Sequence, residues 1–416
     1  MKKQLFLILL CCSILSTCFM GCGTKIKATN LLKNIKSVPT VEPSQIAEKD
    51  TIIATNFAVR LFQNAKSGEE NTLISPLSIL PALSMTANGA DGDTRMQIEK
   101  SFGLSIEKLN TCMHSYIKNL PKENNCKFHL ANSIWFRNTK DFSIQDAFLK
   151  KTAAYYDAAI YEASFDETTL ADINAWVAEQ TEDVIPSMLD EIDPNAYLYL
   201  INALSFDSKW SSIYDASSIK DDSFTREDGS THDVQMMYST EYEYLEDEYA
   251  TGFFKPYSGY SYAFVALLPK EGVSLTDYVD TLTGEHLHQI LTNRMEYPVS
   301  ASIPKFNSEF RIDLCTPLQQ LGIKDAFDQE RADFSNICSS QKERLFINRI
   351  LHKSCLSVDE AGTKAGSSTS IGMEKTASST SNGEEKKVYL NRPFLYMVVD
   401  YEHNFPIFIG TADDIQ

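Results

Sequence analysis

The stretch from residue 361 to residue 383 constrains the fold more than any other part of the chain. Eighteen of its 23 residues are Ala, Gly, Ser, Thr or Asn, and it holds no proline and no aromatic residue. Sequence of this kind ordinarily links independent domains. Here only 33 residues follow, well short of the roughly 50 that an independently folding domain needs. Their apolar runs, Phe394–Val399 and Pro406–Ile409, must therefore belong to the body that precedes the segment. The segment reads as a long exposed loop inside one domain, and such loops are uncommon unless they are functional.

Its residues alternate. Thr363, Ala365, Ser367, Thr369, Ile371 and Met373 share one parity and are uncharged, while the other parity carries Lys364 and Glu374. With a strand's period of two, one face of 363–373 suits an apolar core and the other suits solvent. A loop patterned as a strand makes sense if it becomes one.

The rest of the chain reads as one large α+β domain. Ile53, Phe57, Leu61 and Phe62 recur at helical spacing, and Asp172–Val177 starts another helix that Pro186 closes. Tyr197–Phe206 alternates like a strand. Tyr262–Leu268 is a continuous apolar run ended by Pro269, as in a strand buried on both faces. The acidic, tyrosine-rich Glu241–Tyr249 reads as a solvated face. With 38 basic against 56 acidic residues, the net charge is −18, which repels phosphate and argues against a nucleic-acid partner.

Met1-Lys2-Lys3 followed by the apolar Leu5–Met20 has the order of a secretory signal peptide. Phe19-Met20-Gly21-Cys22 resembles a bacterial lipobox, with Phe19 where Leu is usual, and the resemblance implies lipidation at Cys22. The expected organisation is a signal peptide over 1–21 and a lipidated N-terminus with a flexible tether over 22–50. One domain then fills 51–416, with the loop at about 361–387. Besides Cys22, the mature chain keeps Cys112, Cys126, Cys315, Cys338 and Cys355. An odd set without CxxC spacing is neither a disulfide framework nor a zinc site, and suits thiols packed as small hydrophobes.

Motifs along the chain resemble those of the serpin family. Asn71-Thr72-Leu73-Ile74-Ser75-Pro76-Leu77-Ser78 is followed by Gly89-Ala90, Gly92, Thr94 and Gln97 at the family's spacing. Ile201–Phe206 with Lys209-Trp210, Ile303–Phe306, Leu321–Ile323 and Ala332–Ser335 also match. So do His352-Lys353, Val358–Gly366 and Asn391–Phe394. Together these cover Thr51–Thr411. The resemblance implies a serpin fold: three β-sheets, eight to nine helices and an exposed reactive-centre loop.

It also implies a function. The chain is expected to be no enzyme but a monomeric suicide-substrate inhibitor of a serine or cysteine protease, needing no cofactor and no metal. The loop is cleaved as an acyl-enzyme and inserts into the main sheet. Glu360, Gly362, Thr363, Ala365, Ser367 and Thr369 correspond to the hinge, small enough to insert without delay, as are Gly366 and Ser368. Ser75, Ser78, Asn202 and His352 correspond to the polar shutter under the opening sheet. Lys305, paired with Glu360, and Trp210 correspond to the breach at its top. Counting from Glu360 puts the scissile bond at Thr376–Ala377 or Lys375–Thr376, with Met373 a further candidate; counting back from Phe394 points near Asn382.

Other readings are weaker. Ser-x-x-Lys occurs five times, including Ser105–Lys108 and Ser302–Lys305, without the partner motifs of a hydrolase. His286-x-His288 lacks the further ligands of a metal site. The serious alternative is a non-inhibitory serpin that binds or carries a ligand at the cell surface. Its usual mark, a bulky, charged or proline-containing hinge, is missing here. An adhesin built on the same body is a third reading. The leader and the lipobox-like Cys22 place the chain outside the cell, as a lipoprotein anchored to the membrane or released from it.

Overall fold

The computed structural model describes residues 26–35, 38–66, 70–121, 126–140, 142–156, 158–339, 344–364 and 386–415. Among them are nine α-helices and sheets of seven, nine and two strands. The last 33 residues supply Lys386–Tyr389, Phe394–Asp400 and Phe405–Ala412 to the nine-stranded sheet. The apolar run before Pro269 becomes Tyr262–Pro269, hydrogen-bonded between Ala250–Pro256 and Phe394–Asp400 and buried along its whole length.

The seven-stranded sheet holds the root of the loop. Across it lie, in order, Thr29–Asn30, Ala159–Ala163, Cys126–Arg137, Leu198–Lys209, Gly362–Lys364, Arg349–Val358 and Phe306–Asp313. Leu198–Lys209 and Arg349–Val358, the two seam strands, pair directly and in parallel from Tyr199↔Arg349 to Ser205↔Cys355. Beyond that point they part. Gly362–Lys364 lies between them, antiparallel to both, with Thr363 opposite Ser208 on one side and Val358 on the other.

Period two sorts the seam residues onto two faces. Leu200, Leu204, Phe206, Ile350, Leu356 and Val358 face the main core, interrupted by the polar Asn202, His352 and Ser354. Tyr199, Ile201, Ala203 and Leu351 face the other way, into a second cluster with Ile173, Trp176 and Val177 of the helix Glu167–Gln180 and with Ile185, Met188 and Leu189 beyond it. This corrects one expectation: the outer face of the seam is not solvent, because that helix and its return segment cover it.

Two further expectations change. Residues 22–50 were expected to form a flexible tether, yet the described part of that stretch lies on the body. Thr29–Asn30 pairs with the edge strand Ala159–Ala163, the Lys27 and Ala28 N–H groups donate to Asp172 Oδ2 (2.9 and 2.7 Å), and the Ser44 N–H donates to Ser115 Oγ (2.9 Å). The reason is that Leu31, Leu32, Ile35 and Ile46 punctuate the polar stretch and pack against the core. The first long helix accordingly begins at Glu48, three residues before Thr51. Glu241 is likewise not on a solvated face: it is buried against Lys255.

None of the five described cysteines is in a disulfide; Cys112, Cys126 and Cys338 are buried, and Cys315 and Cys355 half-buried. Burial pushes the Cys112 and Cys338 thiols up to about 11, which keeps them protonated and unreactive near neutrality.

Candidate functional site: the seam and the root of the loop

Strand Arg349–Val358 ends in a tight reversal that sends the chain back into the sheet. Asp359 makes the turn: its Oδ1 accepts from the Ala361 and Gly362 N–H groups (2.7 and 3.1 Å), and its own N–H donates to Gly362 O (3.0 Å). Gly362 then passes so close to the neighbouring strand that a Cβ there would stand 2.1 Å from Ser208 O. Only glycine fits that approach.

Three consecutive carbonyls of the turn are held from one side. The Trp210 indole Nε1–H donates to Asp359 O (2.8 Å), the Tyr214 N–H to Glu360 O (3.0 Å) and the Trp210 N–H to Ala361 O (3.0 Å). Trp210 stacks on Tyr257 with ring centroids 4.7 Å apart and planes within 9°. The Tyr257 hydroxyl lies 2.5 Å from Thr363 Oγ1, on the core side of the inserted segment. The Lys305 ammonium meets Glu360 Oε2 at 2.8 Å, both side chains partly in water, so this pair adds at most about 1 kcal/mol.

Lower on the seam lies a fully buried polar network. The Ser75 N–H donates to His352 Nε2 (3.1 Å), which leaves the ring proton on Nδ1 to be donated to Asn202 Oδ1 (2.5 Å). Asn202 Nδ2 in turn donates to Ser78 O (2.7 Å) and to Asn132 Oδ1. Ser75 Oγ donates to Ile407 O (2.8 Å), which is why Ser75 starts the helix Pro76–Ala87 without a side-chain cap. Burial pushes the His352 imidazole down to about 3, so it is neutral near pH 7 and the network holds without charge. Asn202 and His352 face each other across the closed seam.

The structure thus brings Ser75, Asn202 and His352 into one network, with Ser78 joining through its carbonyl rather than its hydroxyl. It brings Trp210, Lys305, Glu360, Gly362 and Thr363 together at the top of the same seam. Cys22, Ala365, Ser367, Thr369, Lys375, Thr376 and Ala377 lie outside the described residues. Sequence reasoning passed over Asn132 and Ser354, whose Oγ donates to Leu73 O (3.0 Å). Both carry a visible signal, a polar residue on the core parity of an otherwise apolar strand. Tyr214, Tyr257, Lys255 and Glu241 were also passed over as parts of the site, and Asp359 was noted only as part of the hinge motif. Among the described residues no group of three or more His, Cys, Asp or Glu side chains is placed to hold a metal, and Ser105 of the first Ser-x-x-Lys caps a helix.

A family model described as Serpin (serine protease inhibitor) matches residues 53–415. An uncharacterized serpin-like protein of Methanosarcina acetivorans is 27% identical, the match covering 99% of this chain and 98% of that protein. Leukocyte elastase inhibitor of Equus caballus is 31% identical over 76% of this chain and 87% of its own length. Among solved structures, the thermophilic serpin tengpin in its native state is 43% identical, covers 93% of this chain and all of its own, and superposes with a TM-score of 0.88. The same protein in its latent state gives 0.78.

Proposed function

Because this chain belongs to the serpin family, we propose that it inhibits a serine or cysteine protease as a suicide substrate, by inserting its cleaved loop between the two seam strands. The observation that carries this reading is the seed at the top of the sheet: Gly362–Lys364 is already in antiparallel register with both strands, above a seam that is still closed.

The chemistry belongs to the target. The protease nucleophile attacks a loop carbonyl, a C–O or C–S bond forms, the peptide C–N bond breaks, and the proton leaves on the departing amine. The loop's share is mechanical. If the register of Thr363 continued down the seam, Thr369 would come opposite Asn202 on one side and His352 on the other, with its side chain toward the core. Insertion must therefore part the His352–Asn202 hydrogen bond and offer a partner in its place, which a threonine hydroxyl can do.

About ten further residues joining the sheet, at roughly 0.5–1.5 kcal/mol per net hydrogen bond, release on the order of 5–15 kcal/mol. That is comparable with the stability of an ordinary domain. The native chain is then held kinetically above a more stable state.

The reading extends to location. An apolar leader ending at Cys22 supports export and lipid anchoring at the outer surface, with the inhibitor acting as a monomer. Replacing Cys22 with Ser should release the chain from the membrane fraction into the medium; a variant that stays membrane-bound removes the lipid anchor.

The deciding experiment mixes the full chain with trypsin-like, elastase-like and chymotrypsin-like proteases. Denaturing gels report a covalent adduct, and mass spectrometry weighs the released C-terminal peptide. An adduct with a peptide starting at Thr376 or Ala377 supports the reading and identifies the scissile bond. Clean cleavage without an adduct from any serine or cysteine protease overturns it in favour of a non-inhibitory serpin.

A further inference from the structure

Directly beneath the root of the loop lies a buried ion pair that the steps above do not use. Lys255 Nζ, in strand Ala250–Pro256, donates to Glu241 Oε1 of strand Thr231–Glu246 at 2.8 Å, with 3% and 8% of the two side chains exposed. The same Oε1 accepts from Ser239 Oγ (2.6 Å), and that hydroxyl lies 3.2 Å from the Tyr214 phenol. Burying two charges carries a large desolvation cost before pairing and is a weak route to stability. In some proteins such a pair serves instead to fix a specific arrangement, and the neighbours here point to what that would be.

The ammonium sits 4.3 Å from the centroid of the Tyr214 ring and 5.4 Å from that of Trp210, within the range of a cation–π contact. Those two residues supply all three N–H groups that hold the carbonyls of Asp359, Glu360 and Ala361. Burial pulls the lysine toward neutrality, but Glu241 and Tyr214 outweigh it and hold the ammonium form. The charge therefore touches the loop only through the aromatic residues that grip it. Because Lys255 and Glu241 belong to the nine-stranded sheet and the seam to the seven-stranded one, the ammonium's contacts with Trp210 and Tyr214 link that sheet to the root of the loop.

We infer that the Lys255–Glu241 pair is a positioning device for loop insertion: it fixes Trp210 and Tyr214 so that the turn 359–361 stays seated and the first inserted residues stay between the seam strands. This rests on the inhibitory reading, since a seated root matters when insertion races deacylation. Loosening the rings should unseat the root and slow the strand without changing how the protease first attacks the loop.

The test compares the full chain with Lys255→Met, Lys255→Arg and Glu241→Gln. Insertion is timed by tryptophan fluorescence after the loop is cut by a protease that is not trapped, and partition is read as moles of inhibitor consumed per mole of protease trapped. Lys255→Met should slow insertion and raise the consumed ratio several-fold, with the rate of loop cleavage unchanged. Lys255→Arg, which keeps the cation, should stay near the parent. If Lys255→Met fails to fold, the isosteric Glu241→Gln, which removes the paired charge, should show the same slowing.

A folded variant with a lower thermal midpoint but unchanged insertion rate and partition overturns the inference, because that is what a merely structural pair would give. Failure of the underlying reading looks different. There the parent itself forms no adduct with any protease, while its insertion rate after cleavage still tests the pair. A parent that is cleaved and never inserts overturns both.

Discussion

The two ends of the seam are built on opposite principles. At the top, the strands have already parted, and the loop root is seated by stacked aromatic rings, a buried charge and a glycine that touches backbone. In the middle the strands are still paired, and an uncharged network around His352 and Asn202 locks them. On the proposed mechanism, the top would decide whether insertion can start, and the middle whether it starts too soon. A metastable inhibitor needs both, and the contrast shows why a charge suits one place and not the other. The upper contacts are to stay put while the loop moves, whereas the lower ones must exchange partners quickly as a strand passes.

The largest effect expected from breaking this arrangement is at residue 369. A Thr369→Arg substitution would carry a guanidinium into the buried gap between Asn202 and His352, stalling the strand. Denaturing gels should then show a cleaved chain and almost no adduct with a protease that the parent traps. Retention of full trapping would discard the extended register.

The next effect comes from acid. His352 titrates at about 3 in the folded chain and near 6.5 when unfolded, so the unfolded state binds more protons between those values. The histidine's contribution is fully present above pH 6.5 and is lost as pH falls toward 3, by about 2 kcal/mol at pH 5. Urea unfolding of the parent and of His352→Gln should differ in slope over pH 5–6.5, with the variant flatter. Parallel slopes would mean that the imidazole is not buried as described.

A loss of comparable size belongs to the top of the seam. Gly362→Val has no room for its side chain beside Ser208 O and should cost about 1–3 kcal/mol through overpacking. Read as moles of inhibitor consumed per protease trapped, the variant should waste more inhibitor. Smallest of all, Glu360→Gln removes a partner from a pair that water already screens. Its thermal unfolding should shift by less than about 1 kcal/mol, and a larger shift would promote Lys305–Glu360 from an accessory contact to a principal one.

Much of the seam was legible beforehand. The motifs around Ser75, Asn202 and His352 identified one network, and the shortness of the tail after residue 383 placed its strands in the preceding body. The rest depended on contacts that local pattern does not encode. Glu241 lies in a run of acids and tyrosines that reads as surface, and only its partner Lys255, 14 residues later on the neighbouring strand, makes its burial tolerable. Lys255 itself follows Phe253-Phe254 and precedes Pro256-Tyr257, a lone charge among apolar residues, and that was the available hint. The N-terminal stretch misled for a different reason. Its composition suits a tether, but four spaced aliphatic residues and unpaired backbone groups suffice to lay it along a sheet edge and across a helix. The cover over the outer face of the seam was equally invisible, since it requires knowing where the helix Glu167–Gln180 docks.

The geometry at Thr363 has one more consequence. On the proposed mechanism, every residue inserted from 366 onward would separate one parallel pair of the seam and complete two antiparallel ones. The number of bonded neighbours would rise along the path, so that once the His352–Asn202 lock had parted, the inserted strand would be held more firmly than the closed seam it replaced. Such a movement has a direction built into it and no return stroke. Each molecule of such an inhibitor would respond once, and a cell relying on it would restore its protection only by translating new chains.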